Sequence, residues 1–185
     1  PLDLDGPLAS AVGQALKRRH WIVSDYHCFG NWFHRVAAPT ADAYLADRPA
    51  EVRNTLQRKA AGARRTQGWR MQVVSGDLEL PQALEAYEAV YRKSWKRVEP
   101  LQPFIRDVCA WAAKTGKLRL GLAWVGEVPA AAQIWFVHAG VASIFKLAFD
   151  PAFSRLSPGS LLTEHLMRHV IDQDHVGKID YLTGD

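Results

Sequence analysis

The stretch Ala130–Val170, AAAQIWFVHAGVASIFKLAFDPAFSRLSPGSLLTEHLMRHV, decides how the chain is read. Two apolar runs, Ala130–His138 and Val141–Phe149, flank Ala139-Gly140, a pair suited to a tight hairpin. The second run stops at Asp150-Pro151, where the fixed φ and missing N–H of proline end a strand. After a short loop, Ser157 suits a helix N-cap and Pro158 the first helical turn. Leu161, Leu162, His165, Leu166, His169 and Val170 then recur at helical spacing. Strand, small-residue loop and amphipathic helix in this order present free backbone N–H groups and a positive dipole end to an anion.

Outward from this stretch, Leu118–Val125 reads as a preceding strand joined through a Gly126-Glu127 turn. Lys178–Leu182 reads as a last strand after a helix over Ser157–Asp174. Nearer the start, Pro7–Arg19 predicts a short helix with Leu8, Val12, Ala15 and Leu16 on one face. Trp21–Val23 and Asn31–Val36 read as strand segments around a bend at Tyr26-His27-Cys28-Phe29-Gly30. Thr40 suits the cap of a helix Ala41–Ala46, and Pro49 opens a longer helix to Gln67. That helix has a narrow stripe of Val52, Leu56, Ala60 and Ala63 and is otherwise basic, with Arg53, Arg58, Lys59, Arg64 and Arg65. Trp69–Val74 reads as a strand closed by Ser75-Gly76-Asp77. Pro81 opens a helix to Arg97 with Leu84, Tyr87, Val90, Tyr91 and Ser94/Trp95 inward, and Pro103 another with Phe104, Val108, Trp111 and Ala112 inward. Helices, then a β meander, then helix and strand predict an α+β (mixed α/β) fold with a mostly antiparallel sheet, not a doubly wound parallel one.

At 185 residues the chain reads as one domain, its first part over 1–75 and its second over 76–185. A net charge of +4 with pI near 9.2 suits an anionic ligand or nucleic acid. No run of 18 apolar residues occurs, so no membrane span is expected. Cys28 and Cys109 have neither metal spacing nor a disulfide framework, which points to a reducing, cytoplasmic setting. His165 and His169 stand four apart on one helix face with no third ligand nearby in sequence, a pattern read as packing rather than metal binding. The absence of a G-x-S-x-G elbow argues against hydrolase chemistry.

Five segments resemble one family in order: Arg48–Lys59 (RPAEVRNTLQRK), Ser94-Trp95-Lys96, Lys146–Pro151 (KLAFDP), Ser157–Leu162 (SPGSLL) and Asp180–Asp185 (DYLTGD). Together they are similar to the GNAT acyltransferase superfamily, in the CelD-type branch associated with cellulose and exopolysaccharide biosynthesis. The resemblance implies a GNAT-like acyl-CoA N-acyltransferase fold and acetyl-CoA or another acyl-CoA as co-substrate, with no metal. It also implies that an amine or hydroxyl acceptor, a saccharide among them, attacks the thioester directly. The chain begins without Met and ends at Asp185, so the last part of such a domain, with a late strand and often a catalytic tyrosine, is read as cut off.

Under this resemblance the pyrophosphate falls to the small-residue loop: Gly159 permits close approach, Ser157, Ser160 and Leu161 complete the cradle, and Arg155 balances charge. The better-known GNAT loop is Gln/Arg-x-x-Gly-x-Gly/Ala; aligned from Arg155, this chain has Pro158 and Ser160 at the small positions, and Pro158 donates no N–H. Pantetheine is expected along Leu147, Ala148 and Phe149, and the acceptor beside Trp95 and Lys96, although Trp95 also falls on a core stripe. Lys146 interrupts an apolar strand and so demands a carboxylate, for which Asp180 is the candidate. Asp180 or Asp185 would be the general base. Two alternatives stand: an enzyme like the peptidoglycan-bridge aminoacyltransferases, taking aminoacyl-tRNA on the basic helix, and a binding module without chemistry.

Overall fold

The structure is a computed structural model and describes residues 7–24, 26, 30–97 and 99–184. The chain divides into two compact units, residues 1–31 with 183–185, and residues 32–182. In the smaller unit α1 (Pro7–Arg18) contributes no buried residue. Trp21–Val23, expected as a strand, carries no regular structure.

The larger unit is built on a six-stranded sheet of order β1-β6-β5-β4-β3-β2. Its strands are β1 (Gly30–Arg35), β2 (Trp69–Val74), β3 (Leu118–Val125), β4 (Val128–His138), β5 (Val141–Phe149) and β6 (Lys178–Gly184). The meander β2-β3-β4-β5 is antiparallel, as the short turns between β3, β4 and β5 dictate. The pair β5/β6 is parallel, since a helix carries the chain between them. Among the described residues no helix is long and apolar enough to cross a membrane.

Helices cover both faces. One carries α4 (Leu80–Lys93) and α5 (Gln102–Lys114), packed on Leu118, Leu120, Leu122 and Ile134. The other carries α2 (Ala41–Ala46), α3 (Ala50–Arg64) and α6 (Pro158–Asp172), with Trp135, Leu162, Leu166 and Val170 at its centre. One row of register partners, Val73, Gly121, Gln133 and Leu147, crosses the meander under α6. A Cβ on Gly121 would stand 2.7 Å from Leu166 Cδ1, so glycine lets the helix settle onto the strand.

Two helix readings are corrected. The helix expected to reach Arg97 stops at Lys93, because Ser94 leaves helical geometry at ψ 170 and its hydroxyl donates back to Tyr91 O at 2.7 Å. Trp95 therefore leaves the core stripe. On α5 the buried residues are Ile105, Cys109, Ala112 and Ala113, while Phe104 and Trp111 face outward, one position off the expected stripe. Burial pushes the Cys109 thiol up to about 12, far from an activated nucleophile. In a Cys28→Ser background, Cys109 should resist a thiol reagent at pH 8 in the native state and react on denaturation, as followed by mass spectrometry. A native Cys109 that reacts as fast as the denatured one would contradict its burial.

Candidate functional site

The site grows from the way β5 and β6 part. They are paired only over Val141–Ser143 against Lys178–Asp180. From Ile144 to Phe149 one edge of β5 has no strand partner among the described residues, while the other stays paired to β4. Beyond the last rung β6 turns away: Leu182 takes φ +61, and its N–H donates to Asp180 Oδ1 at 2.8 Å instead of to a strand. Asp180 Oδ2 stands 2.9 Å from Lys178 Nζ, which lies over the Phe33 ring. A buried carboxylate thus occupies the base of the fork.

This overturns the expected pairing of Lys146 with Asp180. Lys146 Nζ instead donates to Glu99 Oε2 at 2.7 Å, and that carboxylate is buried in the connection between α4 and α5. Two causes are visible. Both Asp180 oxygens are engaged within β6. In addition, a bulge shifts the β4/β5 register, Ile134 facing Lys146 and Trp135 facing Ile144, so simple alternation fails there. Glu99 lies 47 positions from Lys146, beyond any spacing rule. The demand of a half-buried lysine for a carboxylate was the only signal pointing toward it.

At the far end of β5, Asp150 closes the strand and caps a 3₁₀ turn over Pro151–Leu156 by accepting the Ala152 N–H at 2.9 Å. Ser157 is the N-cap residue of α6, but not through its side chain: it is left-handed at φ 53, ψ 50 and makes no side-chain cap bond. Its carbonyl accepts the Leu161 N–H at 3.1 Å. The Leu161 side chain is buried in the core and Pro158 has no N–H to give. The free donors of the first turn are therefore the N–H groups of Gly159 and Ser160. A Cβ on Gly159 would lie 3.5 Å from Phe149 Cδ1, which places this turn directly against the end of the open edge. Arg155 is exposed beside it, and its carbonyl accepts Lys59 Nζ from α3 at 2.9 Å.

Gln133, to which the sequence assigned no role, anchors the cradle. Its Nε2 donates to Gly159 O at 3.0 Å and Thr163 Oγ1 at 2.8 Å, and its Oε1 accepts Trp135 Nε1 at 2.9 Å. Replacing Gln133 by Leu strands these partners, which costs on the order of 2–3 kcal/mol. A fall in melting temperature of roughly 5–10 °C by circular dichroism is expected. An unchanged melt would deny the anchoring role.

Along the open edge Leu147 is half-exposed and Phe149 partly so, whereas the Ala148 side chain is buried. Because the Asp150 N–H donates to Ala130 O, strand alternation pairs the Ala148 main chain with Ala132 and turns the main-chain groups of Leu147 and Phe149 to the open edge. Trp95, 58% exposed, packs its ring on Phe149 at 4.7 Å between centroids. It stands at the mouth of the site and not in the core. Lys96 lies beside it with its ammonium 5.9 Å from the Trp95 ring. Burial, then the Lys146 charge, lower the Lys96 pKa, and Glu99 works against them. Trp95, Lys96, Glu99 and Lys146 are thus one cluster, and Asp180 stands at the fork. Asp185 lies outside the described residues.

His165 and His169 are held below the usual histidine range mainly by burial, so they stay neutral at pH 7. Among the described residues no group of three or more His, Cys, Asp or Glu is arranged to hold a metal.

No curated protein sequence matches the chain significantly. The structure of FemX superposes with a TM-score of 0.64 at 8% identity, covering 96% of this chain and 60% of that one. A conserved protein of unknown function from Bacteroides thetaiotaomicron gives 0.58 at 10% identity, covering 96% and 58%. The C-terminal domain (DUF2156) of a putative lysylphosphatidylglycerol synthetase from Agrobacterium fabrum gives 0.52 at 16%, covering 84% and 46%. The chain spans less than two thirds of each of these structures, and at such identities they share its fold alone. The family described as "Acetyltransferase (GNAT) domain" matches residues 50–185, which include the meander, the open edge of β5 and the cradle. The chain therefore belongs to the GNAT acetyltransferase family.

Proposed function

We propose that the domain transfers an acyl group from acyl-CoA to an amine or hydroxyl acceptor. The observation that carries this reading is the open edge of β5 leading straight into the first turn of α6. A long ligand with amide groups at one end and phosphates at the other fits such a track. The N–H groups of Gly159 and Ser160 bind the pyrophosphate, with the helix dipole behind them and Arg155 balancing charge. Ser157 and Leu161 shape the turn, and Leu147 and Phe149, on either side of the buried Ala148, offer main-chain groups and apolar surface to pantetheine.

The acyl carbonyl then lies toward the fork, near Lys146 and Asp180. The acceptor enters beside Trp95 and Lys96 and attacks the thioester directly. Asp180 takes its proton: each of its oxygens keeps a lone pair beyond the bonds it already accepts. Asp185, on the same terminal segment, is a second carboxylate for that role. Lys146, held by Glu99, sets positive charge beside the developing oxyanion. We place the acceptor among saccharides or amines of exopolysaccharide or cell-envelope metabolism, as the CelD-type resemblance implies.

Calorimetric titration with acetyl-CoA, followed by thiol-release assays over amino sugars, amines and sugar hydroxyls, tests the reading. Micromolar binding and acceptor-dependent thiol release are expected. Binding of tRNA with no heat from any acyl-CoA would replace it by the aminoacyl-tRNA alternative. Neither would favour a non-catalytic module.

A further inference from the structure

The basic helix α3 does not enter the chemistry above, yet it walls a cleft of about 340 Å³ between α2, α3 and α6. That volume falls within the range of small-molecule sites. Its lining includes an apolar stripe, Val52, Leu56 and Ala60, at successive four-residue steps of α3. Its rim carries four guanidinium groups, Arg48, Arg53, Arg64 and Arg168, against two carboxylates, Asp42 and Glu164. Both carboxylates are engaged by one residue: Arg168 Nη1 meets Asp42 at 2.5 Å and its Nε meets Glu164 at 3.0 Å. Arg48 pairs with Asp47 and lies over the Tyr44 ring, and Arg53 donates to Ala46 O at 3.2 Å. Arg64 makes no ion pair among the described residues. An exposed helix face that is merely solvated is convex and needs no apolar stripe. This one is concave, with surplus positive charge around exposed hydrocarbon.

We propose that the cleft between α2, α3 and α6 binds a small anionic amphiphile, a phosphate or carboxylate carried on an apolar body, separately from the cradle at Gly159. Arg53 and Arg64 stand eleven residues apart, about 16 Å along α3, so the cleft is elongated and takes an extended ligand. Guanidinium forks hold the anion in bidentate fashion, and the Val52–Leu56–Ala60 stripe takes the hydrocarbon. Neither group alone suffices, because an exposed ion pair contributes little by itself.

The probe is hexyl phosphate, titrated calorimetrically into the full chain, with inorganic phosphate and hexanol as controls. Saturable binding is expected, with both controls weaker by about tenfold or more. Arg64→Glu, and independently Leu56→Trp, which fills the cleft without changing charge, should each weaken hexyl phosphate by about tenfold. Acetyl-CoA affinity should stay unchanged in both variants, and a melting curve for each shows which remains folded. The proposal is overturned by no saturable binding to the wild type, or by binding that survives both substitutions. It is equally overturned if acetyl-CoA affinity falls in parallel, since the cleft would then belong to the donor site. If the wild type binds hexyl phosphate but no acyl-CoA, this site stands and the acyltransferase reading fails.

Discussion

A Gly159→Trp variant is expected to lose acetyl-CoA binding by at least about a hundredfold, some 2.7 kcal/mol. The reason is local. Gly159 and Ser160 are the first-turn residues with N–H groups left for a phosphate, because Pro158 has none and Leu161 donates to Ser157. An indole at that position fills the space against Phe149 that the ligand must occupy. Gly159→Ala is the control: its Cβ would make an ordinary 3.5 Å contact with Phe149, and alanine is favoured in a helix. Calorimetry should find the alanine variant near wild type and the tryptophan variant silent, both with native melting curves. Wild-type affinity in the tryptophan variant would move the donor site elsewhere.

The second large effect is catalytic. Asp180→Asn should lower kcat by about 10²–10⁴ while leaving acetyl-CoA affinity close to wild type. Asparagine keeps an oxygen for the Leu182 N–H that turns β6 away, loses the ion pair with Lys178, and cannot accept a proton from the acceptor. Steady-state kinetics should show kcat falling with little change in KM. If kcat is untouched, Asp180 serves only to turn β6 away from β5. If instead acetyl-CoA affinity collapses with kcat, the carboxylate holds the fork and another group takes the proton.

The Ala130–Val170 stretch was legible because its signals are local. The hairpin at Ala139-Gly140, the strand stop at Asp150-Pro151 and the helix start at Pro158 each depend on the backbone preferences of one or two residues. Two of the five segments behind the resemblance, Lys146–Pro151 and Ser157–Leu162, lie in this stretch, and the family match covers both. Where local signals ran out, the readings slipped. Trp95 sat on a helical stripe only as long as the helix was assumed to continue past Ser94, whose hydroxyl bonded to Tyr91 O ends it. The outward turn of Phe104 and Trp111 reflects which side of α5 meets α4 and β3, a choice the amphipathic pattern leaves open by one position.

Apart from Trp21–Val23, the sequence by itself determined the order of helices and strands, the mixed sheet, the small-residue helix start and the need of Lys146 for a carboxylate. Only the tertiary structure decided that Glu99 meets that need, that Asp180 caps Leu182 at the fork, and that Gln133 ties the cradle to the sheet. It alone decided that α3 walls a cleft. The physical reason is one of range. Strand, turn and cap preferences act within a few residues, whereas the Glu99–Lys146 and Gln133–Gly159 contacts join positions 47 and 26 apart. Such contacts form only where packed layers bring buried polar groups within reach, and a buried polar group takes whichever partner the packing supplies.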